Sequence, residues 1–188
     1  MSKPLKLSQY ETYADPSLLV TDTRLKELID YWRERAGSRV MPARADISPR
    51  DLIRHLPALC LIDVHHHGAH HHDAHRHTTP DFSFRLVGTG LADMFCAGAT
   101  GKRLSAVLPQ PAAGIAAAVL TAIVEHRRPL RTYGYMDWWP GGAAVRFECL
   151  HLPLTRSDGR VDIILNEFLA YQRAGQMEAR TLSSRMTA

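Results

Sequence analysis

The sequence predicts an α+β domain in which an antiparallel sheet is covered by helices on one face. Helical and extended segments fall in separate runs instead of alternating, which argues against a parallel sheet. The extended segments come as two early and three late, and turn clusters at Pro140-Gly141-Gly142 and Ser157-Asp158-Gly159 separate the late three.

Residues 1–21 show no sustained period and carry Pro4 and Pro16, so they read as a tail that docks on the domain. Asp22 and Thr23 are helix-capping types, and Leu25, Leu28, Ile29 and Trp32 then recur at i, i+3, i+4 and i+7. That spacing predicts an amphipathic helix ended by Gly37, with Lys26, Glu27, Asp30, Arg33 and Glu34 on a solvated face. Ser48-Pro49-Arg50-Asp51 has the form of a second helix start, with Leu52, Ile53 and Leu56 on its apolar side and Pro57 as its stop.

A strand follows at Leu59–Val64, and a second in which Phe82, Phe84 and Leu86 alternate with Ser83 and Arg85. Between Gly88 and Pro111, glycines break the chain into short helical pieces around Leu91, Met94, Phe95 and Leu104. A longer helix runs from Ala112 to His126, with Ile115, Ala118, Val119, Ala122 and Ile123 on one stripe and Pro129 after it. The late strands span about Leu130–Trp138, Ala143–Thr155 and Arg160–Tyr171. In the middle one the apolar set moves from odd positions (Val145, Phe147, Cys149) to even ones (Leu150, Leu152, Leu154), which predicts a β-bulge near Cys149. Residues 172–188 turn polar and read as a C-terminal tail, leaving 22–171 as the domain.

A chain of 188 residues with 45% hydrophobic and 22% charged residues is one ordinary soluble domain, with enough apolar material for a core. No apolar run approaches the roughly 20 residues of a membrane span. No signal peptide is visible, so the expected location is the cytoplasm. The 23 Lys and Arg exceed the 19 Asp and Glu only slightly and are scattered, without the clustered stripe that nucleic acid requires. The three cysteines, Cys60, Cys96 and Cys149, form no Cys-x-x-Cys pair and sit in apolar surroundings, as buried reduced thiols do.

In order and spacing, several short segments resemble a PAS domain, specifically the stand-alone bacterial PAS-like family with many alphaproteobacterial members. They are Leu28-Ile29-Asp30-Tyr31-Trp32, Pro42-Ala43-Arg44-Ala45-Asp46-Ile47-Ser48-Pro49, Leu56-Pro57-Ala58-Leu59, Asp81-Phe82-Ser83-Phe84-Arg85-Leu86-Val87-Gly88-Thr89, Thr100-Gly101-Lys102 and Glu148-Cys149-Leu150-His151-Leu152-Pro153-Leu154. The resemblance extends over roughly Thr23 to Tyr171. It implies a five-stranded antiparallel sheet whose helical side can enclose a small ligand, used for sensing or protein contact through a signalling partner. Carried over by position, the cavity wall would be Phe84, Leu86, Met94, Phe95, Leu104 and Tyr133. Haem-binding PAS domains place a histidine on the long helix facing the sheet. Here that helix carries only His126, in its last turn, where a cation is favourable anyway. Flavin photosensors of this fold use Gly-Arg-Asn-Cys-Arg, and Cys96 lacks those flanks. Neither haem nor flavin is expected.

The strongest local chemical signal is His65-His66-His67-Gly68-Ala69-His70-His71-His72-Asp73-Ala74-His75-Arg76-His77, which holds most of the chain's 11 histidines. On strands leaving a hairpin, residues two apart share a face. His65 with His67 and His75 with His77 therefore offer four imidazoles to zinc or nickel, with Asp73 as an oxygen donor. Against this stands the entropy a Gly- and Ala-containing loop loses on closing round an ion, and the lack of partners to orient the ligands.

Enzymatic chemistry has weaker support. Asp137, Glu148 and His151 are acid–base types on expected strands, but residues 148 and 151 are three apart and point to opposite faces of a regular strand. Gly-x-Ser-x-Gly, Walker-type and His-Glu-x-x-His patterns are all absent. Arg131 or Arg146 is the expected partner of Glu148 in a structural ion pair. The expected function is a non-enzymatic sensory or interaction module, with metal binding by the histidine segment as the alternative and a small α+β enzyme behind both. The Trp32 stripe also suggests a homodimer in which two leading helices pack.

Overall fold

The computed structural model describes residues 4–7, 12–66, 79–136, 145–156 and 159–171, with the side chains of Phe95 and Cys96 left aside. Helix α1 spans Thr23–Ala36. The Asp22 carboxylate caps it by accepting from the Arg24 amide at 2.9 Å, and Gly37, at φ 58°, ends it. Leu25, Leu28, Ile29 and Trp32 are all buried, as the stripe requires. Their burial against the chain's own sheet is worth about 1.5–3 kcal/mol each. The Trp32 indole donates to the Pro153 carbonyl at 2.9 Å. The stripe is therefore spent within the chain and does not need a second copy to cover it.

The segment after Ser48 is a run of turns, not a helix; Asp51, Leu52 and His55 amides bond back three residues, and only Leu56–Ala58 closes a 3₁₀ turn. Seven residues between Pro49 and Pro57 are too few to sustain an isolated helix, and Pro57 biases Leu56 away from the α region. Of its expected apolar side only Leu52 is buried; Ile53 and Leu56 are exposed.

Among the described residues, seven strands form one antiparallel sheet: β1 (Leu5–Lys6), β2 (Tyr13–Asp15), β3 (Leu59–His65), β4 (Asp81–Val87), β5 (Leu130–Met136), β6 (Val145–Leu154) and β7 (Ile163–Tyr171). Their order is β1-β2-β5-β6-β7-β3-β4. The five expected strands are contiguous. The N-terminal segment read as a docking tail supplies two more by pairing Tyr13–Asp15 with Tyr133–Arg131. Between the strands lie α2 (Thr89–Leu91), a π turn at Ala92–Cys96, α3 (Leu104–Val107) and α4 (Ala112–His126). Helix α4 has the expected bounds, but Arg127 in the left-handed region, not Pro129, closes it. Its inward stripe includes Leu120 and leaves Ala118 exposed.

The expected bulge at Cys149 is absent. β6 pairs without interruption with β5 and with β7. The apolar parity changes because β6 is central and buried on both faces from Phe147 to Leu154. Cys149 and His151 face the α4 side. Leu150, Leu152 and Leu154 share the other face with Glu167, which α1 reaches through Arg24. Helices thus lie on both faces, not one. The irregularity occurs instead between β3 and β4, where Leu61 and Ile62 pair with Leu86 and Phe84 and leave Arg85 unpaired.

On the α1 face, charges are buried in two linked groups. Arg131 bonds Glu148 through Nε at 2.7 Å and Asp15 through Nη1 at 3.1 Å. Glu167, fully buried, meets Arg24 Nε at 2.6 Å and His55 Nδ1 at 2.9 Å. The Tyr171 hydroxyl lies 3.1 Å from Asp22 and 3.3 Å from Glu148, between the two groups. Burial, then the charges of Glu148 and Asp22, raises its pKa and keeps it a donor. These contacts fasten β2 and the start of α1 to the back of the sheet.

Candidate functional site

Opposite that charged face, a half-open cavity of about 160 Å³ lies between the sheet and the α3–α4 layer. Its floor comes from β3, β5, β6 and β7, its roof from α3 and α4, and Phe84 and Leu91 close one side. Thr12, just before β2, also lines it. Among the described residues, no Asp, Glu, Lys or Arg borders the cavity.

Polar groups cross the floor in one row. Asn166 on β7 stands opposite Cys60 on β3 and His151 on β6, and Thr132 on β5 is one diagonal further. His151 Nδ1 lies 2.9 Å from Asn166 Oδ1, and His151 Nε2 lies 2.9 Å from Thr132 Oγ1. Asn166 Nδ2 donates to Cys60 Sγ at 3.7 Å. Burial lowers the His151 pKa to about 4 against the smaller opposing effect of Asn166, so the ring is neutral at pH 7. A neutral ring next to an amide oxygen holds its proton on Nδ1, so Nε2 accepts the Thr132 hydroxyl proton. Burial pushes the Cys60 thiol up to about 12 and Cys149 well above its ordinary value, so both are protonated, non-nucleophilic wall groups.

This burial has a consequence for stability. Unfolded His151 titrates near 6.5 and folded His151 near 4, so its stabilisation is complete above pH 6.5 and is lost as pH falls toward 4. The loss amounts to about 3 kcal/mol over that window. Urea midpoints at pH 7, 5 and 4 should trace the decline, and His151→Gln should flatten it; equal slopes in both proteins would contradict the assignment.

Of the expected wall residues, Phe84 and Leu104 line the cavity. Met94 packs against the core but does not border the cavity, and the Phe95 side chain lies outside the described residues. Leu86 is 44% exposed, because the bulge at Arg85 turns it off the face that Phe82 and Phe84 share. Tyr133 is not a wall residue either. Its register with Glu148 puts it on the back face, stacked on Tyr13 at 5.4 Å with the Arg131 guanidinium 4.3 Å from its ring centre. Among the lining residues that sequence reasoning missed, the polar ones are Thr132, Asn166 and Thr12. The first two carry a weak signal, as polar residues inside otherwise apolar strands. His151 was weighed only as an acid–base group.

His65 and His66 direct Nε2 to Ser83 Oγ at 2.7 Å and to the Val161 carbonyl at 2.8 Å. His67, His75 and His77 lie outside the described residues, as does Asp73. Among the described residues no three His, Cys, Asp or Glu side chains gather as a metal site. Glu148 and His151 do fall on opposite faces, Arg131 is the partner of Glu148, and Asp137 lies outside the described residues. His126 is exposed at the end of α4, away from the cavity.

Residues 20–168 match the sequence family described as PAS domain. The chain belongs to the PAS domain family. Its sheet and short helices have the α+β arrangement of that family, and PAS domains are sensory and interaction modules. No curated protein matches the sequence. Among solved structures, one described as an RNA-binding Light-Oxygen-Voltage Receptor is similar at a TM-score of 0.45 and 14% identity, over 94% of this chain. The PAS chain described here spans 43% of that receptor's length. Among the described residues, no helix is long and apolar enough to cross a membrane.

Proposed function

We propose that this PAS domain is a non-enzymatic sensor that binds a small, mostly apolar molecule between α4 and the sheet, and signals through a partner protein or a change in self-association. The half-open apolar cavity carries the reading. Native cores are packed with few voids larger than water, and an apolar cavity of about 150 Å³ can hold a single benzene ring. Glu148 and His151 are separated by the thickness of the sheet and the Cys60 and Cys149 thiols are protonated, so among the described residues the cavity offers binding surface without an activated nucleophile. For the histidine segment, His65 and His66 already engage protein oxygens, which favours the cavity over metal binding.

Toluene is a suitable probe. At 100 times its Kd it should stabilise the native protein by about 2.7 kcal/mol, raise the thermal midpoint and slow amide exchange along α4. Ala116→Phe, which fills the cavity from α4, should fold and abolish both effects. No stabilisation of the unaltered protein, or an equal one in Ala116→Phe, would contradict the proposal.

A further inference from the structure

We infer that the cavity selects an uncharged molecule of about one substituted ring that carries a single hydrogen-bonding group, held by Asn166 against an apolar wall. The inference rests on the ligand-binding reading above and names the class of molecule.

Size comes first. At about 160 Å³ the cavity takes one ring with a small substituent. Charge is next. Among the described residues that line it, none is Asp, Glu, Lys or Arg, so a carboxylate or ammonium would enter without a counter-charge. His151 cannot supply one, because its Nδ1 and Nε2 are engaged by Asn166 and Thr132 as a neutral ring. An anion or cation would therefore lose its hydration without compensation.

The third argument is the capacity left in the polar row. The Thr132 O–H is given to His151, but the Thr132 oxygen still has lone pairs to accept with. Asn166 uses one amide hydrogen on Cys60, and its second has no partner among the described residues. Thr132 on β5 and Asn166 on β7 have β6 and the His151 ring between them, so one ligand group meets only one of the two, and a hydroxyl or carbonyl oxygen can receive the second Asn166 hydrogen. A wholly apolar ligand would leave the Asn166 hydrogen buried and unpaired. The remaining wall, including Phe84, Val119 and Phe147, supplies contact without direction.

Four compounds of one shape separate these terms: p-cresol, toluene, benzoate and benzylamine, titrated against the full chain at pH 7 by calorimetry or ligand-observed NMR. The expected order is p-cresol at least tenfold tighter than toluene, with benzoate and benzylamine at least a hundredfold weaker than p-cresol. Asn166→Leu and Asn166→Ala should each shrink the preference for p-cresol over toluene to twofold or less. If Asn166→Leu does not fold, Asn166→Ala and the unaltered protein's own ranking still decide the matter. Toluene binding with no preference for p-cresol, a charged compound within tenfold of it, or a preference that survives in the folded variants would overturn the inference while leaving the cavity as a ligand site. Failure of all four to bind would overturn the ligand-binding reading as well.

Discussion

Arg131→Leu is expected to destabilise the protein by about 3–5 kcal/mol, a large fraction of a typical domain's 5–15 kcal/mol. Arg131 is buried between two carboxylates, Glu148 at 2.7 Å and Asp15 at 3.1 Å, which are themselves 1% exposed. Removing the guanidinium leaves two like charges facing each other without water. Burial pushes Asp15 up, but hydrogen bonds from Ser17, Arg131 and Leu19 outweigh it and hold the carboxyl below its usual range. With Arg131 gone, one of those opposing bonds is lost. The β2–β5 pairing should loosen first, since Asp15 sits opposite Arg131 in that ladder. Urea unfolding checks the loss. The triple change Arg131→Leu, Glu148→Gln and Asp15→Asn should recover part of it, because the orphaned charges are then absent. A loss under 1 kcal/mol would show that this network does not fasten the N-terminal segment.

Gly88→Ala should have an effect of similar size for a steric reason. A Cβ at Gly88 would lie 2.1 Å from the Leu56 carbonyl oxygen and 2.7 Å from that of Pro57. Both are backbone atoms, so no rotamer change relieves the overlap. The Gly88 amide also bonds the Leu59 carbonyl at 2.8 Å, which ties the end of β4 to the start of β3. Forcing the 3₁₀ turn away should cost about 3 kcal/mol or more. It should also disturb Leu91, which follows Gly88 on α2 and lines the cavity. Thermal unfolding of Gly88→Ala beside Gly114→Ala, an exposed helical site in ordinary contact, should separate them by many degrees. Equal midpoints would contradict the packing described.

How far the sequence could be read follows from which signals are local. Helix α1 was legible because cap, period and terminator lie within one segment, and helix α4 because its apolar period runs unbroken between Pro111 and Pro129. The five core strands were legible through alternation and turns, and the separation of Glu148 from His151 through strand geometry alone. What escaped depends on neighbours. Burial of β6 on both faces looked like a bulge, since nothing local shows that α1 covers the second face. The bulge at Arg85 is a property of two strands together, and it removed Leu86 from the wall. Tyr133 was misplaced because its strand is buried on one side by a ring stack with Tyr13, in a segment that reads as a tail. The polar row is divided among four strands, so Thr132, Asn166 and Cys60 join His151 only once the register is known.

The account stands or falls on the cavity being a place that a neutral ring enters. Crystals of the full chain grown with 4-bromophenol locate the ring directly through the anomalous signal of bromine. The account predicts a peak between α4 and β6, beside Phe84, Val119 and Phe147, with the phenol oxygen within hydrogen-bonding distance of Asn166. Bromine found only on the outer surface, with side chains closed over the space beneath α4, would contradict it.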